Sequence, residues 1–258
     1  ATVCVHAASN VLNDVGDETI GTDRINEQRV YPYTGGSRFI QMGILTQSSM
    51  ARLGISLLVV AAVAGLALIM ERGAVVLLFG LAGIALGVLY SLGPIKLSAI
   101  GLGESSVAVA FGVLPVTGAA WLQGASIDTA LLLFSLPVSA WVAAILLINE
   151  VPDVEADGAC GKGTLPVRLG LPLTSRLYFA INLAAFLIIV ALSVQGRLPL
   201  LAPLAPAGLV LLAWQASKAI ISGVADRKAI TQAIESTLAI HTIGCLWLTG
   251  CALYFVWW

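Results

Sequence analysis

Seven stretches of this sequence run for roughly 17–25 residues with almost no charge: 53–70, 74–91, 105–122, 129–149, 174–194, 200–221 and 234–258. Inside a bilayer the backbone must satisfy its own polar groups, so only helices and closed barrels can cross. None of these stretches alternates apolar with polar residues, as a barrel strand would. The expected fold is therefore all-α, a polytopic transmembrane helix bundle forming one domain over 1–258. Composition agrees. Apolar residues make up 59% of the chain and charged residues 10%, against roughly a quarter charged in soluble domains. Such a chain cannot cover a water-facing surface, and its partner is membrane lipid. A net charge of −1 offers nothing to nucleic acid, and no obligate protein partner is implied.

The first residues, ATVCVHAASNVLN, are apolar for about half the ~20 residues that a span needs. They have no basic leader and run directly into polar sequence, unlike a signal peptide. They read as the second half of a helix whose beginning is absent, so N-terminal truncation is the expectation. The connections alternate. Long polar loops cover 13–52, 92–104, 150–173 and 222–233, and short ones cover 71–73, 123–128 and 195–199. Alternating spans put all four long loops on one face. Eleven of the 13 cations belong to that face, with only Arg72 and Arg197 on the other. By the positive-inside rule the long loops are cytoplasmic.

The acids are concentrated further. Of 14, five lie in the first long loop (Asp14, Asp17, Glu18, Asp23, Glu27) and four in the third (Glu150, Asp153, Glu155, Asp157). An even number of spans separates the clusters, so both reach the same mouth of the bundle. Their spacing matches as well, with Asn10, Asp14 and Asp17 in one and Asn149, Asp153 and Asp157 in the other. Residues three or four apart on a helix share a face, so each cluster projects an Asn and two Asp together, with Glu150 and Glu155 off that face. Ionisable groups at membrane boundaries are costly and tend to be functional.

Facing carboxylates suit a hard divalent cation. Mg²⁺ takes oxygen ligands, typically one or two carboxylates plus phosphate oxygens, and two such ions can clamp a diphosphate. Lys96, Lys162 and Arg168 are placed to complete its neutralisation, as are Arg24, Arg29 and Arg38. Other features read as structural. Arg52, Arg176, Arg227 and Lys228 are topology anchors, and Glu104 suits the N-terminus of its span. His6 and His241 lack paired ligands, and the four cysteines lack metal-ligand spacing and act as small hydrophobes. Glycines in 54–91 allow close helix packing, and the closing WLTGCALYFVWW is an interfacial aromatic belt.

These motifs resemble the UbiA superfamily of intramembrane prenyltransferases. Asn10, Asn13, Asp14, Asp17, Gly21, Thr22 and Asp23 resemble its first Asp-rich motif, in the form of the 1,4-dihydroxy-2-naphthoate branch. The run from Asn149 through Asp153, Asp157, Lys162 and Arg168 to Gly170 resembles the second. Tyr90, Pro94 and Lys96, followed by GLGE at 101–104, look like the same branch. The resemblance covers essentially the whole chain. It implies nine transmembrane helices in a full-length member and a Mg²⁺-dependent prenyltransferase. Asp14, Asp17, Asp153 and Asp157 would hold the metal, with Asn10 and Asn149 as further donors. Lys96, Lys162 and Arg168 would hold an isoprenyl diphosphate, and Asp23 and Tyr90 would lie toward a lipophilic acceptor.

Two departures sharpen the branch. Cys160 stands where the hydroxybenzoate branch has a third acid, and Asp17 follows Asp14 by three residues instead of four. Ether-lipid, chlorophyll and haem acceptors remain alternatives within the superfamily. An ion-coupled transporter is the competing class, but it should place its acids near the bilayer midplane, often at broken helices in inverted repeats. Here they cluster at one rim.

Overall fold

The computed structural model describes residues 1–92 and 95–257, without the side chains of 255–257. Gly93 and Pro94 of the Tyr90–Lys96 motif, and the last aromatic side chains of the closing belt, lie outside the described residues. Every regular element among those described is helical. In chain order they are α1 (Thr2–Ile20), α2 (Thr22–Ile25), α3 (Gln47–Arg72), α4 (Val75–Ser91), α5 (Gly103–Leu122), α6 (Thr129–Asn149), α7 (Val154–Ala159), α8 (Leu165–Leu169), α9 (Leu171–Val194), α10 (Leu204–Ser222) and α11 (Arg227–Trp257).

The expected spans 53–70, 105–122, 129–149 and 174–194 fall within α3, α5, α6 and α9, while α4 begins at Val75 and α10 at Leu204, inside the expected 74–91 and 200–221, and α11 covers 234–257 of the last. Five helical segments are long and apolar enough to cross a membrane, the last being the 51-residue run Leu204–Tyr254 that contains α10 and most of α11. The 17-residue α4 is shorter and equally apolar. The polar connections are more helical than the sequence implies. Residues 13–20 continue α1, 47–52 are the first turns of α3, and 227–233 begin α11. The hydrocarbon limits where apolar side chains end, whereas the backbone ladder can continue into the interface.

The chain divides into two compact units. The first comprises 1–106 and 153–168. Here α1 lies against α3 and α4, and three glycines set the separation. A Cβ at Gly54 would stand 2.7 Å from the Leu12 side chain, one at Gly87 2.7 Å from Ser9 Oγ, and one at Gly16 2.8 Å from the Ser91 carbonyl. Small residues let membrane helices approach this closely. Gly65, Gly80 and Gly83 meet nothing, so the packing expectation holds for Gly54 and Gly87 alone of the glycines in 54–91. The outer side of α3 carries exposed Ile55, Val59, Val63, Leu66 and Met70, a surface fit for lipid.

The second unit comprises 107–152 and 169–258. Helices α6, α9, α10 and α11 form a closed ring in which each touches the next and α11 returns to α6. Gly244 of α11 lies under the Trp141 indole, where a Cβ would come within 2.5 Å of the ring. Gly112, in a π-helical turn at Val109–Val113 of α5, meets α6 even more tightly, with a Cβ position 2.4 Å from Ser139 Cα. Most buried polar side chains here are neutral and paired, with Glu150 a buried acid and the Oδ1 atoms of Asn149 and Asn182 buried without a hydrogen-bond partner. Tyr178 Oη and Thr237 Oγ1 are 2.6 Å apart, and Ser175 Oγ donates to the Ser217 carbonyl at 2.6 Å.

Candidate functional site

The acids gather in the first unit. On α1, Asp14, Asp17 and Glu18 are all buried, and Asp14 and Asp17 sit on one continuous helix as their spacing requires. Gly21 ends that helix with φ 96°, its N–H on the Asp17 carbonyl at 2.8 Å. This left-handed residue turns the chain so that α2 carries Asp23 back into the buried layer. The second motif behaves differently from the expectation of one helical face through Asn149, Asp153 and Asp157. Helix α6 stops at Asn149 and α7 starts at Val154. Pro152 lies between them, and proline removes a helix N–H and disfavours the helical conformation of the residue before it. Asp153 and Asp157 remain one turn apart, the Asp157 N–H on the Asp153 carbonyl at 2.8 Å. Asn149 belongs to the second unit, where its Oδ1 is buried without a hydrogen-bond partner.

Lys162 joins the two motifs. Its Nζ donates to Asp17 Oδ1 at 2.8 Å and lies 3.5 Å from Asp157 Oδ1. It reaches there because Gly161, at φ 73°, turns the chain and the Lys162 N–H closes onto the Asp157 carbonyl at 2.8 Å. One ammonium between so many carboxylates leaves negative charge in excess. Burial, and then repulsion from Asp17 and Asp14, pushes the Asp23 carboxyl up to about 7. Burial, with repulsion from Asp153 and Asp17 that Lys162 only partly offsets, does the same to Asp157. Burial also raises Asp153, against a hydrogen bond from Asn26.

The other cations divide by what they touch. Arg38, at φ 63°, donates to the Asn26 carbonyl, and its charge favours ionised Asp23. Its Nε is buried without a hydrogen-bond partner. Arg24 is exposed and pairs with Glu18. Arg29 stacks 5.5 Å from the Tyr31 ring centroid. Arg168 donates from Nε to the Gly163 carbonyl at 2.8 Å, pinning the loop whose Gly163 N–H binds the Ala99 carbonyl at 2.9 Å. Lys96 precedes the turn Leu97–Ala99, and no ion pair joins it to an acid among the described residues. Tyr90 is half-buried on α4. Glu104 is 4% exposed with both carboxylate oxygens unpartnered, more than an exposed dipole partner would need.

Sequence reasoning missed the neutral partners. Asn13 donates to Asp17 Oδ2 at 2.9 Å and accepts from Ser91 Oγ at 2.8 Å. Asn26 donates to Asp153 Oδ1 at 2.6 Å, Ser37 bonds Asp14, and Gln41 donates to Glu18 at 3.0 Å. Four of the five residues just named, Ser91 aside, lie within the first motif and loop, where the density of Asn, Gln and Ser around the acids was the available signal. Beside Asp14 lies a cavity of about 310 Å³ with a polar wall of Asn10, Asn13 and Ser37 and an apolar wall that includes Phe39, Leu45 and Met50. Asn10 is exposed there.

The donor set fits Mg²⁺ chemically. Four buried aspartates and the half-buried Asp153 supply hard oxygens, Asp157 Oδ2 is buried without a partner, and the raised carboxyls register missing positive charge. No group of three or more His, Cys, Asp or Glu closes into a metal cage among the described residues. Mg²⁺ needs none, since it commonly keeps waters and substrate phosphate oxygens beside one or two carboxylates.

The sequence and the fold both have known relatives. The sequence profile of the UbiA prenyltransferase family matches residues 1–231, through both units. A 1,4-dihydroxy-2-naphthoate octaprenyltransferase of Escherichia coli K12 is 36% identical over 191 residues, covering 71% of this chain and 59% of that protein. The chain thus spans about three-fifths of that relative. A protein of the same name from Mycobacterium tuberculosis is 30% identical, over 90% of this chain and 75% of its own. Among solved structures, the apo form of a UbiA homolog from Aeropyrum pernix K1 superimposes with TM-score 0.67 at 18% identity, covering 95% of this chain and 85% of that one.

Proposed function

The chain belongs to the UbiA prenyltransferase family, and we propose that it transfers a polyprenyl group from an isoprenyl diphosphate to a hydroxylated aromatic acceptor of the 1,4-dihydroxy-2-naphthoate type, with Mg²⁺. The observation that carries this is the Lys162 bridge. It ties Asp17 of the first motif to Asp157 of the second, residues far apart in sequence that a diphosphate clamp requires together. The names of the Escherichia coli and Mycobacterium tuberculosis relatives support the acceptor class and a place in quinone biosynthesis.

Asp14, Asp17, Asp153 and Asp157 would hold Mg²⁺, which when bound neutralises the diphosphate and makes it a better leaving group. Lys162 and Arg38 add fixed positive charge where the leaving oxygen becomes anionic, and Arg38 Nε is a buried donor free for it. Charge placed where it develops in the transition state is what accelerates ionisation. The allylic carbon–oxygen bond breaks, the acceptor carbon bonds to the allylic carbon, and the ring proton is lost. Asn26, Asn13 and Ser37 hold the carboxylates in orientation. Lys96, Arg24, Arg29 and Arg168 would act farther along the diphosphate or on the loops that carry it. The loops bearing the site would face the cytoplasm, on the side that carries eleven of 13 cations.

The test is incubation of the full chain in lipid nanodiscs with Mg²⁺, a labelled polyprenyl diphosphate and a panel of hydroxynaphthoate, hydroxybenzoate, chlorophyllide, haem and glyceryl phosphate acceptors. Prenylated naphthoate is the expected product. Diphosphate release absent with every acceptor and unchanged by Asp153→Ala would defeat the reading.

A further inference from the structure

We propose that the outward side of the α9–α10 seam, between Arg176 and Lys218, is a binding site for the phosphate of an anionic phospholipid. One contact fixes the geometry. Ser175 Oγ, near the start of α9, donates to the Ser217 carbonyl, near the end of α10, at 2.6 Å, so the two helices run antiparallel. Successive residues advance about 100° around a helix, and in antiparallel neighbours viewed from one end they turn in opposite senses. The residue that follows each member of a contact pair therefore falls on the same side of the seam. Those residues are Arg176 and Lys218. Tyr178, three residues on and so turned about 60° the other way from Ser175, reaches Thr237 inside the ring. The interior thus lies on the opposite side, and both cations look outward. Arg176, Lys218 and Trp214 are all exposed, and no ion pair joins either cation to an acid among the described residues.

The surroundings select the ligand. Lys218 Nζ lies 3.3 Å from the centroid of the Trp214 ring, one turn deeper along α10. An indole suits the membrane interface, so this pair holds the ammonium at the edge of the hydrocarbon. Exposed Leu187 and Leu211 carry the outer surface of the two helices on into the apolar layer, where acyl chains lie. Packed helices stand about 8–10 Å apart, a gap that an arginine and a lysine can close around one phosphate, the first as a fork and the second as a point charge. Gly223 keeps the end of the seam tight, since a Cβ there would stand 3.0 Å from Leu171 Cδ1. No acid competes along either helix. The sequence has none between Asp157 and Asp226, and Asp226 caps α11, accepting from the Ala229 N–H at 3.0 Å. A zwitterionic headgroup would bring a third cation to this pair, whereas an anionic one neutralises it, as in other basic pockets between membrane helices. Topology anchoring asks only that cations stand at this end of the bundle, not that two converge on one seam beside a tryptophan.

Native mass spectrometry of the full chain, supplied with phosphatidylglycerol and phosphatidylcholine together, reads which lipid is retained. A cation near an anionic headgroup contributes about fivefold in affinity, so the unaltered chain should prefer phosphatidylglycerol by about tenfold or more. Arg176→Gln combined with Lys218→Gln should bring that preference below threefold. Arg227→Gln combined with Lys228→Gln removes the same charge from the start of α11 and should leave the preference within a factor of two. Equal loss in both double variants would make the preference a property of overall surface charge and overturn the site, as would no preference in the unaltered chain. Melting in phosphatidylcholine nanodiscs should be the same for both variants. A lower value for the Arg176 and Lys218 variant would make those side chains structural and would overturn the proposal too. Inorganic phosphate in excess should leave the bound phosphatidylglycerol in place, and its displacement would show that the seam takes the free anion instead of a lipid.

Discussion

The two units both bury polar side chains, but they do so in opposite ways. In the helical ring of α6, α9, α10 and α11 the buried groups are neutral and mostly find partners nearby, the Oδ1 atoms of Asn149 and Asn182 excepted. Asn182 donates to the Tyr178 carbonyl at 2.9 Å, Ser193 Oγ to the Ile189 carbonyl at 3.0 Å, and Tyr178 pairs with Thr237. In the first unit Asp14, Asp17, Asp23 and Asp157 are buried within one layer, and two of them are driven up to about 7 by burial and by one another. Neutral, satisfied groups inside a membrane protein cost little and hold helices in register. Clustered carboxylates cost stability, so their retention marks the place where function requires charge. The ring is a frame and the acidic layer is the candidate site.

The largest expected effect breaks the site without touching the frame. Asp17→Asn removes the carboxylate that Lys162 and Asn13 both engage. Transferase kcat/KM should fall by about 10³-fold, roughly 4 kcal/mol of transition-state stabilisation. Circular dichroism and melting in lipid should be nearly unchanged. A fall below tenfold would place the chemistry elsewhere.

Lys162→Met asks whether the ammonium stands in for missing positive charge. It leaves Asp17 and Asp157 facing each other without compensation, which should destabilise the metal-free chain by about 3 kcal/mol. Mg²⁺ should recover more of the melting temperature in the variant than in the unaltered chain, because it restores what the lysine supplied. Equal recovery in both would show that metal and Lys162 act at separate places.

A smaller and pH-dependent effect comes from Asp23. Its carboxyl, ordinarily near 3.8, is raised to about 7 in the folded chain. A raised acid is protonated at low pH without penalty, so its contribution to stability is full below about 3.8 and is lost as pH rises toward about 7. Asp23→Asn removes that loss and keeps an acceptor for Gln41, which lies 3.4 Å from Asp23 Oδ2. The variant should therefore melt several degrees higher than the unaltered chain at pH 8 in EDTA, with the difference shrinking toward zero near pH 4. A difference independent of pH would remove electrostatic strain as its cause.

Much of this contrast was legible in the sequence. Apolar length gave the helices, because a bilayer leaves the backbone few alternatives, and the recurrence of paired aspartates pointed to the acids that gather in one buried layer. What escaped follows from side-chain reach. Nothing in the spacing shows that Lys162 turns back between Asp17 and Asp157, since that depends on the left-handed Gly161. Nothing shows that Pro152 breaks the second motif, or that Arg168 spends its Nε on Gly163. Asn26 and Ser37 were overlooked, and Asn13 was placed in the first motif without a role, because attention to charge passes over the amides and hydroxyls that orient it.

The smallest expected effect tests the frame itself. Tyr178 is fully buried, and among the described residues its hydroxyl is bonded to Thr237 Oγ1, which also donates to the Ala233 carbonyl at 2.7 Å. Tyr178→Phe deletes one interhelical hydrogen bond while keeping the ring that fills the space between α9 and α11. Interhelical hydrogen bonds in membrane proteins average about 0.6 kcal/mol, because the separated helices find other partners. Unfolding of the variant in lipid should therefore be easier by about 0.6 kcal/mol, with kcat/KM and the response to Mg²⁺ unchanged. Thr237 keeps its own carbonyl partner, so no unpaired hydroxyl is left to amplify the loss. If Tyr178→Phe instead lowered kcat/KM as Asp17→Asn does, the division between a neutral frame and an acidic site would be wrong, and the Tyr178–Thr237 pair would have to be counted with the chemistry.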